Sequence, residues 1–216
     1  MSEPVLMSWS GGKDSLMALR WVLQQPSLSV AALLTTVTEG EERINMHGVR
    51  RDLLEAQARA LGLPLEIVLV PPHASNTRYE GAMRAAFAKH RDLGVRRVVF
   101  GDLFLEDVRA YRERQMAEAQ LEALFPLWGR DTRKLSHEVI ELGVLATVVC
   151  VDPNQLDPLF CGRAFDWPML ADLPAWIDPC GERGEFHTFV HGGPLFRRPV
   201  DVMRGVHLGQ FFGGRT

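Results

Sequence analysis

A chain of 216 residues, 46% of them hydrophobic, is long enough for one large core or for a core with a smaller annex. Its formal charge of −3 and pI near 6.2 exclude the net positive field of a typical nucleic-acid-binding domain, and only Arg96-Arg97 and Arg197-Arg198 offer a local basic patch. No stretch reaches the roughly 18 apolar residues of a membrane span, Ser2-Glu3-Pro4 is unlike a secretory leader, and Cys150, Cys161 and Cys180 form no C-x-x-C pair, so a cytoplasmic protein with buried free thiols is expected.

The first element predicted is a strand at Val5 to Ser8, which leads through Trp9-Ser10-Gly11-Gly12-Lys13-Asp14-Ser15 into a run with helical spacing from Leu16 to Leu23. Strand, glycine turn and helix start make an anion site, because unpaired backbone N–H groups and the positive end of the helix dipole converge there. Gly11 and Gly12 permit positive φ and leave no Cβ between the backbone and a phosphate. Lys13 brings a full positive charge, and the hydroxyls of Ser10 and Ser15 can donate to phosphate oxygens. Asp14 beside a polyanion makes sense as a helix N-terminal cap or as a ligand of the Mg2+ that accompanies a nucleotide. The loop is not a Walker A loop, because Lys13 follows adjacent glycines and is itself followed by Asp-Ser.

Further along, residues 29–36 and 65–70 read as strands, 47–61 and 76–90 as helices with Asn76 as a cap, 95–100 as a buried strand, and 106–124 as one long helix. This alternation predicts an α/β nucleotide domain over residues 1–125, built on a Rossmann-like parallel sheet whose ligands lie beyond the carboxyl ends of the strands. The ends of interest are Ser10, Thr36 and Gly101-Asp102, where Asp102 is either a metal or ribose ligand or half of a turn. His47 lies over a nucleotide or opens a helix, and both readings stand. Arg109 and Arg112 share a helix face at i, i+3, by default a solvated one.

From about Phe125 frequent prolines break the periodicity, leaving a short helix at 136–142 and a strand at 146–151. A smaller α+β region, residues 126–216, is expected to pack over the open end of the nucleotide site. Asp152-Pro153, Asp157-Pro158 and Asp178-Pro179 read as turn starts. Within residues 178–190, Glu182, Glu185, His187 and Thr188 bring acid, base or metal-binding groups together around Gly184 and a strand from Phe186. A solvated turn leading into an alternating strand explains the same residues.

The loop Ser10-Gly11-Gly12-Lys13-Asp14-Ser15 resembles the PP-loop of ATP pyrophosphatases, which cleave ATP between the α- and β-phosphates. With Gly101, Arg109, Glu113 and Pro126-Leu127-Trp128, and with Glu182, Gly184, Glu185, Phe186 and Thr188, the chain is similar to the diphthine–ammonia ligase family. That family carries a Glu-Gly-Gly-Glu-aromatic-Glu-Thr signature; here Arg183 replaces a Gly and His187 replaces the last Glu, and the Tyr-Gln before Arg109 is missing.

The resemblance implies the fold of the adenine nucleotide alpha hydrolases and an ATP-dependent ligase that adenylates an acceptor, a carboxylate for preference, for amidation by ammonia. It assigns Ser10, Gly11, Gly12, Lys13, Asp14, Ser15, Thr36, His47, Gly101 and Arg109 to ATP, and Asp14 and Asp102 to Mg2+. Lys13, Glu182, Glu185 and His187 would carry the chemistry, with Arg109 turned into the cleft. His187 in place of a glutamate exchanges a fixed negative charge for a switchable one, so the acceptor need not be cationic. A tRNA-modifying PP-loop enzyme and a non-catalytic nucleotide sensor are the rival readings. Partners are expected to be small molecules or a protein side chain rather than nucleic acid or membrane, and a homodimer is compatible with all of them.

Overall fold

In the computed structural model, which describes residues 2–41, 43–44, 48–72 and 74–203, β1 (Glu3–Ser8) feeds α1 (Lys13–Leu23) and then β2 (Leu28–Thr38), which returns parallel to β1. After β3 (Arg43–Ile44) and α2 (Arg51–Leu61) the chain adds β4 (Leu65–Val70) on the far side of β2. It then crosses through α3 (Asn76–Asp92) to β5 (Arg97–Val99) beside β1, and through α4 (Glu106–Glu118) to β6 (Glu122–Leu124). The main ladder therefore reads β4-β2-β1-β5-β6, all parallel, and β3 pairs antiparallel with the end of β2. The order of winding reverses between β1 and β5, and the crevice at such a reversal is where α/β sheets bind ligands.

The middle of β1, Val5 to Met7, is apolar because both of its faces are covered. Val5 and Met7 enter one core with Leu16, Leu19 and Leu54, while Leu6 enters a second with Met83, Phe87 and Met116. The first core continues into α5 (Thr132–Glu141), β7 (Leu145–Val151), α6 (Trp167–Asp172) and β8 (Phe186–Gly192) through Leu135, Val148, Met169 and Phe186. β7 and β8 form a separate antiparallel pair. Among the described residues no helix is long and apolar enough to cross a membrane.

Several expected boundaries move. The long helix expected over 106–124 is α4 followed by β6, because the chain reverses at Gln120, which takes a φ of 58°. α2 begins at Arg51 rather than at 47, and α5 begins at Thr132, where Asp131 Oδ1 accepts from the Lys134 N–H at 2.9 Å. The cap of α3 is Ser75, whose Oγ accepts from the Arg78 N–H at 3.4 Å, and not Asn76. Of the three free thiols only Cys180 is buried; Cys150 and Cys161 are half-buried. The acidic turn starts appear as expected, with Asp152 and Asp157 accepting from the N–H groups of Asn154 and Leu159.

Candidate active site at the switch point

The loop between β1 and α1 sits at the reversal of the sheet. Gly11 takes a φ of +77°, and a Cβ there would lie 3.1 Å from Gln57 Oε1 and 3.2 Å from Leu54, so the turn admits no larger residue without strain. Gly12 is the N-cap of α1, which makes Asp14 a first-turn residue rather than a cap. Ser15 Oγ donates to the Gly12 carbonyl at 2.9 Å, while Ser10 Oγ accepts from the Gly12 N–H at 3.2 Å and lies 3.2 Å from Ser15 Oγ.

The C-terminal region grips this loop from the other side. The Val190 N–H donates to the Gly11 carbonyl at 2.9 Å, and the Lys13 N–H donates to Thr188 Oγ1 at 3.1 Å. Gln57, fully buried on α2, accepts from Trp9 Nε1–H at 2.8 Å and donates to the carbonyls of Gly11 and Val190 at 3.0 and 2.6 Å. One amide thereby joins α2, the loop and β8. Neither Gln57 nor Trp9 was anticipated, although a polar residue three positions after Leu54 on a buried helix stripe was a readable signal.

The turn before β8 is built by carboxylates. Asp178 accepts from the N–H groups of Cys180 and Glu182, and Glu185, 1% exposed, accepts from those of Asp178 at 3.2 Å and Arg183 at 2.9 Å. Both oxygens of Glu185 are thus engaged in holding the turn. Glu182 instead reaches the loop after β5, where its Oε1 accepts from the Leu103 N–H at 2.7 Å. The Arg183 guanidinium lies over Phe104, 5.2 Å from the ring centroid.

Electrostatics single out three acids. Burial pushes the Glu182 carboxyl up to about 7, and Asp14 and Asp102 add repulsion to the same effect. Asp102 is likewise raised by burial, opposed by Arg112, whose Nε lies 4.0 Å from Asp102 Oδ2. Asp14 is raised by burial against the pull of Lys13, and its Oδ1 is buried with no hydrogen-bond partner. Gly101 packs so closely on α1 that a Cβ there would come within 3.0 Å of the Asp14 backbone. The loop after β5 and the first turn of α1 therefore share one wall.

Lys13 is 1% exposed. Its ammonium donates to Asp14 Oδ2 at 2.9 Å and to the Cys180 carbonyl, with the rings of Phe165 and Phe186 centred 5.5 and 5.4 Å away. Burial opposes its charge, but Asp14 and the 178–180 turn outweigh that and raise its proton affinity.

The other expected site residues have their own surroundings. Thr36 sits two residues inside the end of β2, opposite Val68. Arg109 stacks over Phe125 and Trp128 at 5.1 and 4.7 Å and pairs with Glu113 at 2.8 Å, while Arg112 pairs with Asp102. His187 is half-buried opposite Cys150, and strand alternation turns it to the face opposite Phe186 and Thr188, the two β8 residues that meet Lys13. His47 lies outside the described residues.

Profiles of the diphthamide synthase N-terminal and C-terminal domains match residues 3–122 and 131–212. An argininosuccinate synthase of Dictyoglomus turgidum is 24% identical over 196 residues, covering 82% of this chain and 49% of that protein. The diphthine–ammonia ligase of Homo sapiens is 33% identical over 87 residues, 38% of this chain and 33% of that protein. The matches thus span about half the length of these relatives or less. Among solved structures, a predicted subunit of tRNA methyltransferase from Methanocaldococcus jannaschii aligns with a TM-score of 0.43 at 16% identity, covering 69% of this chain and 80% of that one. With the N-terminal profile spanning more than half of its residues and the C-terminal profile following in order, the chain belongs to the diphthamide synthase family.

Proposed function

We propose that the protein is an ATP-dependent ligase that adenylates an acceptor carboxylate and transfers the acyl group to an amine. One observation carries this reading: a glycine loop opening a helix and three carboxyls raised by burial, Asp14, Asp102 and Glu182, come together at the switch point of a parallel sheet. Two relatives, named as a diphthine–ammonia ligase and an argininosuccinate synthase, support the ligase class.

The triphosphate would sit on the 10–15 loop at the start of α1, with the Ser10 hydroxyl turned from Ser15 to a phosphate oxygen. Asp14 and Asp102 fit a magnesium ion brought by the nucleotide, since Asp14 Oδ1 is a buried acceptor without a partner. Among the described residues no three His, Cys, Asp or Glu side chains gather closely enough to hold a metal alone, so phosphate oxygens would complete the shell. Magnesium there would neutralise phosphate charge.

In the first step an acceptor oxygen bonds to the α-phosphorus, the bond to the bridging oxygen breaks, and pyrophosphate leaves. In the second the amine nitrogen, ammonia by analogy with the named relative, bonds to the acyl carbon, AMP leaves, and the nitrogen gives up a proton. Glu182, titrating near 7, is the group suited to take that proton. Glu185 supports it by holding the turn, Gly101 brings the opposite wall close, and His187 on the other face is left out of this set. The test is pyrophosphate release with hydroxylamine as the amine and a panel of carboxylic acids as acceptors. AMP, pyrophosphate and a hydroxamate are expected together; ADP and phosphate as products would refute the reading.

A further inference from the structure

The lysine of the loop has its ammonium already engaged by the protein, through the C-terminal region and the neighbouring Asp14. Its backbone N–H donates to Thr188 and its ammonium to the Cys180 carbonyl, so both ends of the residue are bonded to the C-terminal region. Asp14 takes another of the three ammonium donors, and Phe165 and Phe186 flank the remaining space. Cys180 precedes by two residues Glu182, the carboxylate that reaches back to the Leu103 N–H. We infer that Lys13 is a positioning residue, a clasp that seats the Glu182-bearing turn on the nucleotide loop, and not a ligand of the phosphates.

The residue type fits this role. The chain holds 21 arginines and three lysines, and here a lysine brings a compact ammonium with three donors beside two rings. The clasp also connects the two halves of the proposed reaction. The loop that would bind ATP and the turn that would meet the acceptor are held in register at one side chain. The inference deepens the ligase reading and rests on it only for the identity of the nucleotide.

Three measurements test it. Lys13→Met should leave the affinity for the magnesium complex of α,β-methylene-ATP within about threefold of wild type, while amide hydrogen exchange across residues 178–185 accelerates at least tenfold. In Lys13→Ala, which retains Cβ, added n-propylammonium should restore that protection, and tetramethylammonium, which has no N–H, should not. In the wild-type protein an acetylating N-hydroxysuccinimide ester should modify Lys89, 55% exposed, far faster than Lys13, at a ratio the nucleotide analogue leaves unchanged. A tenfold or greater loss of analogue affinity with the 178–185 amides still protected would overturn the clasp, and so would a Lys13 acylated as fast as Lys89 and shielded only by the analogue. If the wild type does not bind the analogue, the ligase reading fails, while the exchange and acylation arms still decide the role of Lys13. Should Lys13→Met not fold, the wild-type acylation ratio decides it alone.

Discussion

Asp14 combines a carboxyl raised by burial with a buried oxygen that has no partner. Its neighbour Lys13 keeps one oxygen engaged and leaves the other for a cation. Asp14→Asn should therefore reduce pyrophosphate formation at least 100-fold and also lower the melting temperature, because the buried Lys13 ammonium loses its counter-charge. Turnover within threefold of wild type would remove Asp14 from the site. Glu182 gives a second test through pH. Its carboxyl lies at 4.5 in an unstructured chain and near 7 in the fold, so between those values the native state binds the extra proton and stability falls as pH rises. Glu182→Gln, which still accepts from Leu103, should be more stable than wild type at pH 8 by about 1–2 kcal/mol after discounting for partial exposure. The difference should vanish at pH 4.5 and below, as chemical denaturation at the two pH values would show.

At the level of elements, the loop is held by strands and helices far from it in the chain. Gln57 joins Trp9, Gly11 and Val190 in the buried interior, and removing its amide takes the acceptor from Trp9 Nε1–H and a donor from each of the two carbonyls, of which Gly11 keeps the Val190 N–H. Gln57→Leu is expected to lower stability by about 2–4 kcal/mol, read from denaturant midpoints at an unchanged slope. A loss under 0.5 kcal/mol would mean that water or repacking replaces the amide. The 178–185 turn has a comparable constraint at Gly181, where φ is +68° and a Cβ would lie 2.5 Å from the Phe186 carbonyl oxygen. Gly181→Ala should move the turn and lower turnover more than it lowers binding of an ATP analogue. The strand that follows was readable from the alternation of Phe186, Thr188 and Val190. The break of the expected 106–124 helix was not, because Gln120 has no glycine or proline beside it to announce a reversal.

For the molecule as a whole, the first hydrophobic core runs from β1 and α1 into α5, β7 and β8 without interruption. The two stretches matched by separate family profiles therefore share buried surface, and they should unfold together. Calorimetry is expected to give one transition with equal calorimetric and van't Hoff enthalpies. Two resolved transitions would show that the C-terminal region is a separate unit, docked rather than fused.

The anion loop was legible because its parts are contiguous: strand, glycine pair and helix start impose their geometry within about ten residues. The parallel sheet was legible for a similar reason, since each strand and crossover helix carries its own periodicity. The direction of Lys13 was not, because its charge answers to Cys180, 167 positions away, and its backbone to Thr188, 175 positions away. The same holds for Arg112, which meets Asp102, and for Gln57, which braces the loop. Local patterns determine which groups are present and which backbone they ride on. Which of them meet is decided by the packing of two cores against one sheet, a property of contacts that no short stretch of residues contains.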